Sequence, residues 1–299
     1  MTRALTVWQW TDGKRGHERQ CEGLVAALAT RVDVNLSLLR APSSAWARGI
    51  AFCGGPLSLP QGAPDLLLGA GRACQLPLLA TRRRRGGRAV YLMRPQLPLS
   101  WFDLCVVPRH DGVACGARVE VSEGPLNPVR PAPTRDEGLG LVLLGGPSAH
   151  HDWDSAALLV QLERVLRRTP ARRWVVTDSR RAPPELATRL AALPGIEFHS
   201  HRDTPPDWLP ALLARAAEVW VSADSVSMIY EALSGGARVG VLDVPARRAD
   251  RITAIAADLR TRGLVHGVDE APLTTAPAPP LDEAGRVAEL ILARWFAGP

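Results

Sequence analysis

Short apolar runs alternate along the chain with longer stretches of helical periodicity. Ala4–Trp10 reads as a strand, and Glu18–Ala29 as a helix carrying Leu24, Ala27 and Leu28 on one face. Residues 32–38 alternate with period two, as a strand does. Asp65–Gly69, Arg88–Met93 and Asp103–Val107 have the look of short buried strands, with a helix over Gln75–Arg84 between two of them. After the proline- and charge-rich stretch 127–138 the pattern restarts. Strands are expected at Leu139–Leu144, Trp174–Thr177, Ile196–His199, Glu218–Ser222 and Val239–Asp243. Helices are expected at Ser155–Arg167, Glu185–Ala192, Trp208–Arg215, Val226–Ser234 and Ala249–Arg262, and a closing helix at Asp282–Phe296 follows a Pro-rich gap from Pro272 to Pro280. Repeated β-α order implies an α/β protein with largely parallel, doubly wound sheets. The expected organisation is two Rossmann-like domains facing a cleft: 1–130, a linker at 131–138, 139–280, and the closing helix within 281–299. Ligands of such sheets bind outside the carboxyl ends of the strands, so the loops after the strands carry the functional candidates.

Composition narrows the class. With 299 residues, 46% hydrophobic and 22% charged, the chain can bury a core, which excludes disorder and disulfide miniprotein scaffolds. No run approaches the roughly 20 apolar residues of a membrane span, and the start turns polar by Thr11, too early for a signal peptide. A cytoplasmic protein is expected. Five cysteines without a C-x-x-C pair point to reduced, mostly buried thiols. Charge is uneven, with 18 basic against 9 acidic residues up to Arg135 and 18 against 21 beyond it. All but Lys14 of the basic residues are arginine, a bias that a GC-rich genome explains, so nucleic acid is not an expected partner. Arg82, Arg83, Arg84 and Arg85, with Arg88 nearby, make an anionic membrane surface the candidate partner of the basic front half; the plain alternative is a solvated helix end.

Five loops could carry chemistry. The first, 10–20, combines Asp12, Gly13, Lys14, Arg15, Gly16 and His17 between strand and helix, where an anion or a general base fits, but it is not a Walker A loop. Gly69-Ala70-Gly71 opens like a dinucleotide fingerprint, yet Cys74 replaces its third glycine and no acid follows at the ribose position, so NAD is not expected. Arg109, His110 and Asp111 could form an anion clamp or base, or simply a polar turn. Gly145, Gly146 and Ser148 suit a diphosphate cradle. The nearby His150, His151, Asp152 and Asp154 resemble a metal cluster, but Asp154 or Ser155 is also an expected helix cap, and no metal is assigned. Ser225 and Ser227 open a helix that carries Glu231 and ends at Gly235-Gly236, a phosphate-and-ribose arrangement.

Asp12-Gly13-Lys14-Arg15-Gly16-His17-Glu18, Gly145-Gly146-Pro147-Ser148, and 223–228 running into Glu231-Ala232-Leu233 together resemble the mitochondrial-fission ELM-type family. Pro108–Asp111, Gln96-Leu97-Pro98 and Thr177–Arg181 fit the same resemblance. The family is similar to GT-B glycosyltransferases, in which the C-terminal domain holds a nucleotide sugar. The resemblance implies phosphate contacts at Ser225 and Ser227, a ribose contact at Glu231, and an acceptor side at Gly16-His17. The expected activity is metal-independent transfer of a sugar from a nucleotide-diphosphate sugar, with no further cofactor, to an envelope or lipid-linked acceptor. His17 is the expected base, Asp12 its orienter, and Gly145–Ser148, Ser225 and Arg180 the expected diphosphate site; Lys14, Arg15, Gly16, Arg109, His110 and Asp111 are placed on the acceptor side. The rival is a noncatalytic adaptor binding protein or membrane. An NAD-dependent epimerase fails on the absent fingerprint and the missing Y-x-x-x-K.

Overall fold

The computed structural model of the protein describes residues 4–270 and 279–296; the proline-rich stretch 271–278 lies outside them. In the first half, strands β1 (Leu5–Thr11), β2 (Val34–Arg40), β3 (Leu66–Ala70), β4 (Arg88–Leu92), β5 (Leu104–Pro108) and β6 (Val119–Ser122) alternate with helices α1 (Arg15–Ala29), α2 (Ala45–Phe52) and α3 (Gln75–Arg85). In the second half, β7 (Asp136–Leu143), α4 (Ser155–Arg168), β8 (Arg173–Thr177), α5 (Pro184–Ala191), β9 (Ile196–His199), α6 (Trp208–Arg215) and β10 (Ala216–Ser222) come first. They are followed by α7 (Val226–Ser234), β11 (Arg238–Leu242), α8 (Ile255–Thr261), β12 (His266–Gly267) and α9 (Glu283–Trp295).

The strands form two six-stranded sheets, in the orders β2-β1-β3-β4-β5-β6 and β12-β11-β10-β7-β8-β9. Every strand pairing in both is parallel. Parallel strands have helices on both faces, so their sequences are apolar on both sides. The first sheet shows this directly. Leu5, Val7, Leu66, Leu68, Val90, Leu92, Leu104 and Val106 pack on one face. Trp8, Trp10, Leu67, Ala89, Tyr91, Cys105 and Val107 pack on the other.

The chain divides into two compact units. One runs to Pro128 and resumes at Asp282; the other is Val129–Leu281. The border therefore lies slightly before the linker expected at 131–138. That stretch is not a free tether: Val129 is buried in the second unit's core, the Ala132 amide donates to Ala214, and β7 already begins at Asp136. Nor does the closing helix stand apart, since Ala284, Val287, Ala288 and Ile291 form a helical stripe inside the first unit's core.

Two further expectations change. Residues 249–254 are not helical, because the Asp250 carboxylate accepts the Ile252 and Thr253 amides and the helix starts only at Ile255. Helix α2 was not legible, since its apolar residues make no clean stripe and Trp46 is 79% exposed. Its one local signal is Ser44, whose hydroxyl accepts the Ala47 amide as an N-cap. Cys21, Cys74 and Cys105 are buried and free, whereas Cys53 and Cys115 are exposed.

Candidate functional site

Each sheet has one point where the winding reverses. In the first, the chain goes from β1 outward to β2 and then returns to place β3 on the other side of β1. In the second, β7, β8 and β9 run one way, and β10 then pairs with the free side of β7. Loops leave the sheet in opposite directions at such a switch point, which opens a crevice at the carboxyl ends. The loops after β1 and β3 and the loops after β7 and β10 are the ones that border these two crevices, and they contain the main sequence candidates.

In the first unit, the His17 Nδ1 lies 2.9 and 3.1 Å from the two carboxylate oxygens of Asp12. The Asp12 side chain is nearly buried and that of His17 is 22% exposed. A carboxylate against Nδ1 selects the tautomer with the proton there, which leaves Nε2 as the acceptor. The loop is tied down around this pair. The Lys14 amide donates to Asp12, the Thr11 hydroxyl donates to Glu18, and the Gly13 amide donates to the Thr11 hydroxyl. Lys14 and Gly16 are exposed, and Arg15 is paired with Glu22 at 2.6 Å. Gly71, from the loop after β3, lies against this pair. It has φ +83°, and a Cβ there would stand 2.2 Å from His17 Nδ1 and 2.8 Å from Asp12 Oδ2. Gly71 thus makes room for this dyad, whereas Gly69, inside β3, makes room for Leu78 and Cys74. Gly71→Ala should move His17 off Asp12 and lower any activity in the same direction as loss of His17, which parallel assays of the two variants will show.

Arg109 and His110 lie apart from that dyad in sequence, in a short 3-10 turn after β5, with Gly112 left-handed behind it. Arg109 is paired with Glu123 at 2.6 Å, and the Asp111 carbonyl accepts from Arg94. These contacts tie the turn to the strand end at Glu123 and to the loop after β4 at Arg94.

In the second unit the centre of the crevice is Asp224, a residue not picked out from the sequence. Its carboxylate is fully buried and accepts from the Gly146 amide at 3.0 Å, the Ser222 hydroxyl at 2.6 Å and Arg181 Nη2 at 2.6 Å. Ser222 also accepts the Gly145 amide at 2.8 Å. The two glycine amides expected to cradle a diphosphate are therefore already engaged. Their lack of a side chain has another use: a Cβ on Gly145 would stand 2.1 Å from Asp224 Oδ2, and one on Gly146 2.1 Å from the Arg181 carbonyl. Gly146→Val is accordingly expected to lower the melting temperature by displacing the Arg181 backbone, before any ligand is added.

Ser148 is likewise occupied, accepting the His150 and His151 amides in a turn. The arginine built into this crevice is Arg181, which also donates to the Gly146 carbonyl at 2.7 Å. Its neighbour Arg180, the expected cation, is exposed, as Arg181 itself partly is. Helix α7 starts at the same crevice. Its N-cap, Ser225, makes no side-chain cap bond, so the serines at 225 and 227 leave the first-turn amides uncapped by side chains. Ser225 is buried, Ser227 exposed, and Glu231 is 8% exposed within the helix.

The histidines and acids at 150–154 do not converge. His150 bonds Asp250 at 2.7 Å, Asp152 bonds Arg247 at 2.7 Å, and Asp154 caps α4 through the Ala156 and Ala157 amides. Among the described residues no group of three or more histidines, cysteines or acids could hold a metal ion. His151 is buried with Nδ1 unpartnered, and His266 is buried edge-on to Trp220. Burial lowers the pKa of both below the ordinary value. A base whose folded pKa is depressed stays neutral in the fold and takes up its proton on unfolding, so the stability it permits is present above about pH 6.5 and is lost as the pH falls through that value. Thermal scans from about pH 8 to about pH 5 should show that loss, and it should lessen in His266→Gln.

The family model described as mitochondrial fission ELM1 matches residues 15–295. No curated protein matches the chain. Among solved structures, a Listeria monocytogenes protein described as a UDP-N-acetylglucosamine 2-epimerase is 12% identical with a TM-score of 0.58, covering 99% of this chain and 98% of its own. The glycotransferase of kitacinnamycin is 15% identical with a TM-score of 0.51, covering 98% and 100%. The UDP-GlcNAc 2-epimerase of Methanocaldococcus jannaschii, solved with UDP-GlcNAc and UDP, is 9% identical with a TM-score of 0.51, covering 97% and 100%. At these identities the likeness is one of fold, and the fold is GT-B-like.

Proposed function

The chain belongs to the mitochondrial fission ELM1 family, and we propose that this member binds a nucleotide-diphosphate sugar in its second unit and transfers the sugar to a hydroxyl acceptor. The observation that carries this reading is the start of α7: first-turn amides without a side-chain cap, at the switch point of a Rossmann-type sheet, beside a guanidinium fixed by a buried carboxylate. Such a helix terminus attracts phosphate through its amides and its dipole. Ser225 and Ser227 meet the diphosphate, Arg181 takes the role first expected of Arg180, and Glu231 lies one to two turns further in for the ribose. Gly145 and Gly146 act indirectly, by making room for Asp224 and Arg181.

His17 takes the proton from the acceptor hydroxyl at Nε2 as the new glycosidic bond forms. Asp12 holds the imidazole and stabilises its charged form. Negative charge that builds on the leaving diphosphate is countered by the α7 terminus and Arg181. Lys14, Arg15, Gly16, Arg109, His110 and Asp111 remain the acceptor-side candidates, and an envelope or lipid-linked acceptor with peripheral membrane location belongs to the same proposal. Among the described residues no helix is long and apolar enough to cross a membrane.

The test is a thermal-shift panel of UDP, GDP, ADP, TDP and their sugars, followed by product analysis with and without an acceptor. A shift with one nucleotide family, and sugar released only with acceptor, supports transfer. Acceptor-free inversion at the sugar's C2 would make the protein an epimerase like several fold neighbours. No shift with any nucleotide would leave the adaptor reading.

A further inference from the structure

The arginine run at the end of α3 is partly structural and partly not. Arg82 is neutralised by Asp103 at 2.7 Å and also donates to the Trp101 carbonyl. Arg84 donates to the Ala51 and Gly55 carbonyls at 2.6 and 2.7 Å, tying α3 to the end of α2. Arg83 lies over the Phe52 ring, 4.1 Å from its centroid, and donates to the Phe52 carbonyl. Carbonyls and an aromatic face fix a guanidinium without cancelling its charge. Among the described residues no carboxylate pairs with Arg83, Arg84 or Arg85 in an ion pair. A helix C-terminus needs only one or two cations. Arg83 and Arg84 are held in place rather than left to wave in solvent, so little of their conformational entropy remains to be lost when an anion binds, and exposed Arg85 adds a third charge beside them.

Beside these charges runs a groove of about 330 Å³ lined by Phe52, Leu79, Arg82, Arg83 and Trp101. Phe52 and Trp101 are stacked, with ring centroids 5.9 Å apart, and Trp101 stays 42% exposed although it is large and apolar. All these residues belong to elements that lead into β3, β4 and β5, so the groove lies at the amino ends of the strands, opposite the Asp12–His17 crevice. An apolar aromatic trough under a rim of uncompensated guanidiniums, two of them pinned, matches an amphiphile with an acidic head. Tryptophan and arginine are also the side chains suited to the water–lipid boundary.

We propose that this groove docks the protein on an anionic phospholipid surface, with a headgroup phosphate on Arg83, Arg84 and Arg85 and acyl carbon against Phe52 and Trp101. The assignment differs from a plain arginine patch in two ways. Arg82 drops out because Asp103 holds it, and the aromatic wall becomes part of the site. It is independent of the nucleotide reading, since none of these residues belongs to the second unit.

The experiment is co-sedimentation of the full chain with phosphatidylcholine vesicles carrying rising fractions of phosphatidylglycerol, at low and high salt. Binding should rise with the anionic fraction and fall with salt. Arg85→Ser, which removes no hydrogen bond or ion pair among the described residues, should weaken it roughly fivefold, and the triple change of Arg83, Arg84 and Arg85 to serine roughly a hundredfold. Trp101→Ser should weaken binding while leaving its salt dependence unchanged. Arg202→Ser, in the second unit, is the control and should bind as the parent does. Binding that ignores the anionic fraction, or an Arg85→Ser variant indistinguishable from the parent, overturns the proposal. Full competition by inorganic phosphate or glycerol phosphate would make the groove a small-anion site and overturn it too. The nucleotide thermal shift should be the same in parent and Arg85→Ser, so failure of either reading is seen separately.

Discussion

Replacing His17 with alanine is expected to lower sugar-transfer turnover by about 10²–10⁴-fold while leaving nucleotide affinity nearly intact. The imidazole is held by Asp12 through Nδ1 in the first unit, whereas the proposed phosphate contacts belong to α7 and Arg181 in the second. An interaction used only when the acceptor proton moves affects kcat, and donor binding does not sense it. Asp12→Asn should fall in the same direction but less far, because the ring loses its orienter and keeps its nitrogen. Initial rates at saturating donor, with donor affinity from calorimetry, separate the cases. A drop in affinity with normal turnover would make His17 a binding residue.

Asp224→Ala is expected to be the most destabilising single change at either crevice. It strips the partner from the Gly146 amide, the ion pair from Arg181 and the acceptor from the Ser222 hydroxyl, around a carboxylate that is fully buried. Breaking a buried charged pair by removing one member costs about 3–5 kcal/mol, and the partial exposure of Arg181 places this case near the lower end. For a unit of this size that corresponds to a fall of about 6–12 °C in melting temperature. Binding of nucleoside diphosphate should go with it, since the guanidinium loses its charged anchor and keeps a neutral one, the Gly146 carbonyl. Asp224→Asn should recover part of the stability by continuing to accept the Gly146 amide, yet little of the binding. Calorimetry of the three proteins with and without the nucleotide found in the panel checks both statements. Equal melting temperatures in Asp224→Ala and the parent would remove the network from the account.

The alternation of apolar runs and amphipathic stretches made nearly every strand and the double winding readable, because a parallel sheet must be apolar on both faces and its helices on one. The Asp12–His17 pair was readable for a similar reason: the two are five positions apart across one tight loop, and the chemistry is local. Asp224 was not. It stands among small hydroxyl residues like any capping aspartate, and its importance comes from Gly146 and Arg181, which are 78 and 43 residues away. That Arg181 rather than its neighbour Arg180 pairs with Asp224 was hidden for the same reason, since adjacent arginines after a strand look alike until the fold shows which one reaches the carboxylate. The glycines at 145 and 146 were rightly singled out as places where a side chain cannot fit, but pattern alone could not say that the occupant is the protein's own carboxylate and backbone. Gly71 carried a readable signal of backbone freedom, whereas its purpose required the loop after β1 to be seen beside it.

Helix α9 returns to the first unit after the whole of Val129–Leu281 has passed. On the ribosome this inverts the order suggested by the numbering. The first 128 residues emerge with a face of their core still lacking Ala284, Val287, Ala288 and Ile291, and they must wait with apolar surface uncovered while the inserted unit is made and closes on its own contacts. The unit translated first is thus the last to be completed. A chain truncated just after Leu281 should present a finished second unit and an open first one, a form to which holdase chaperones and proteases have access.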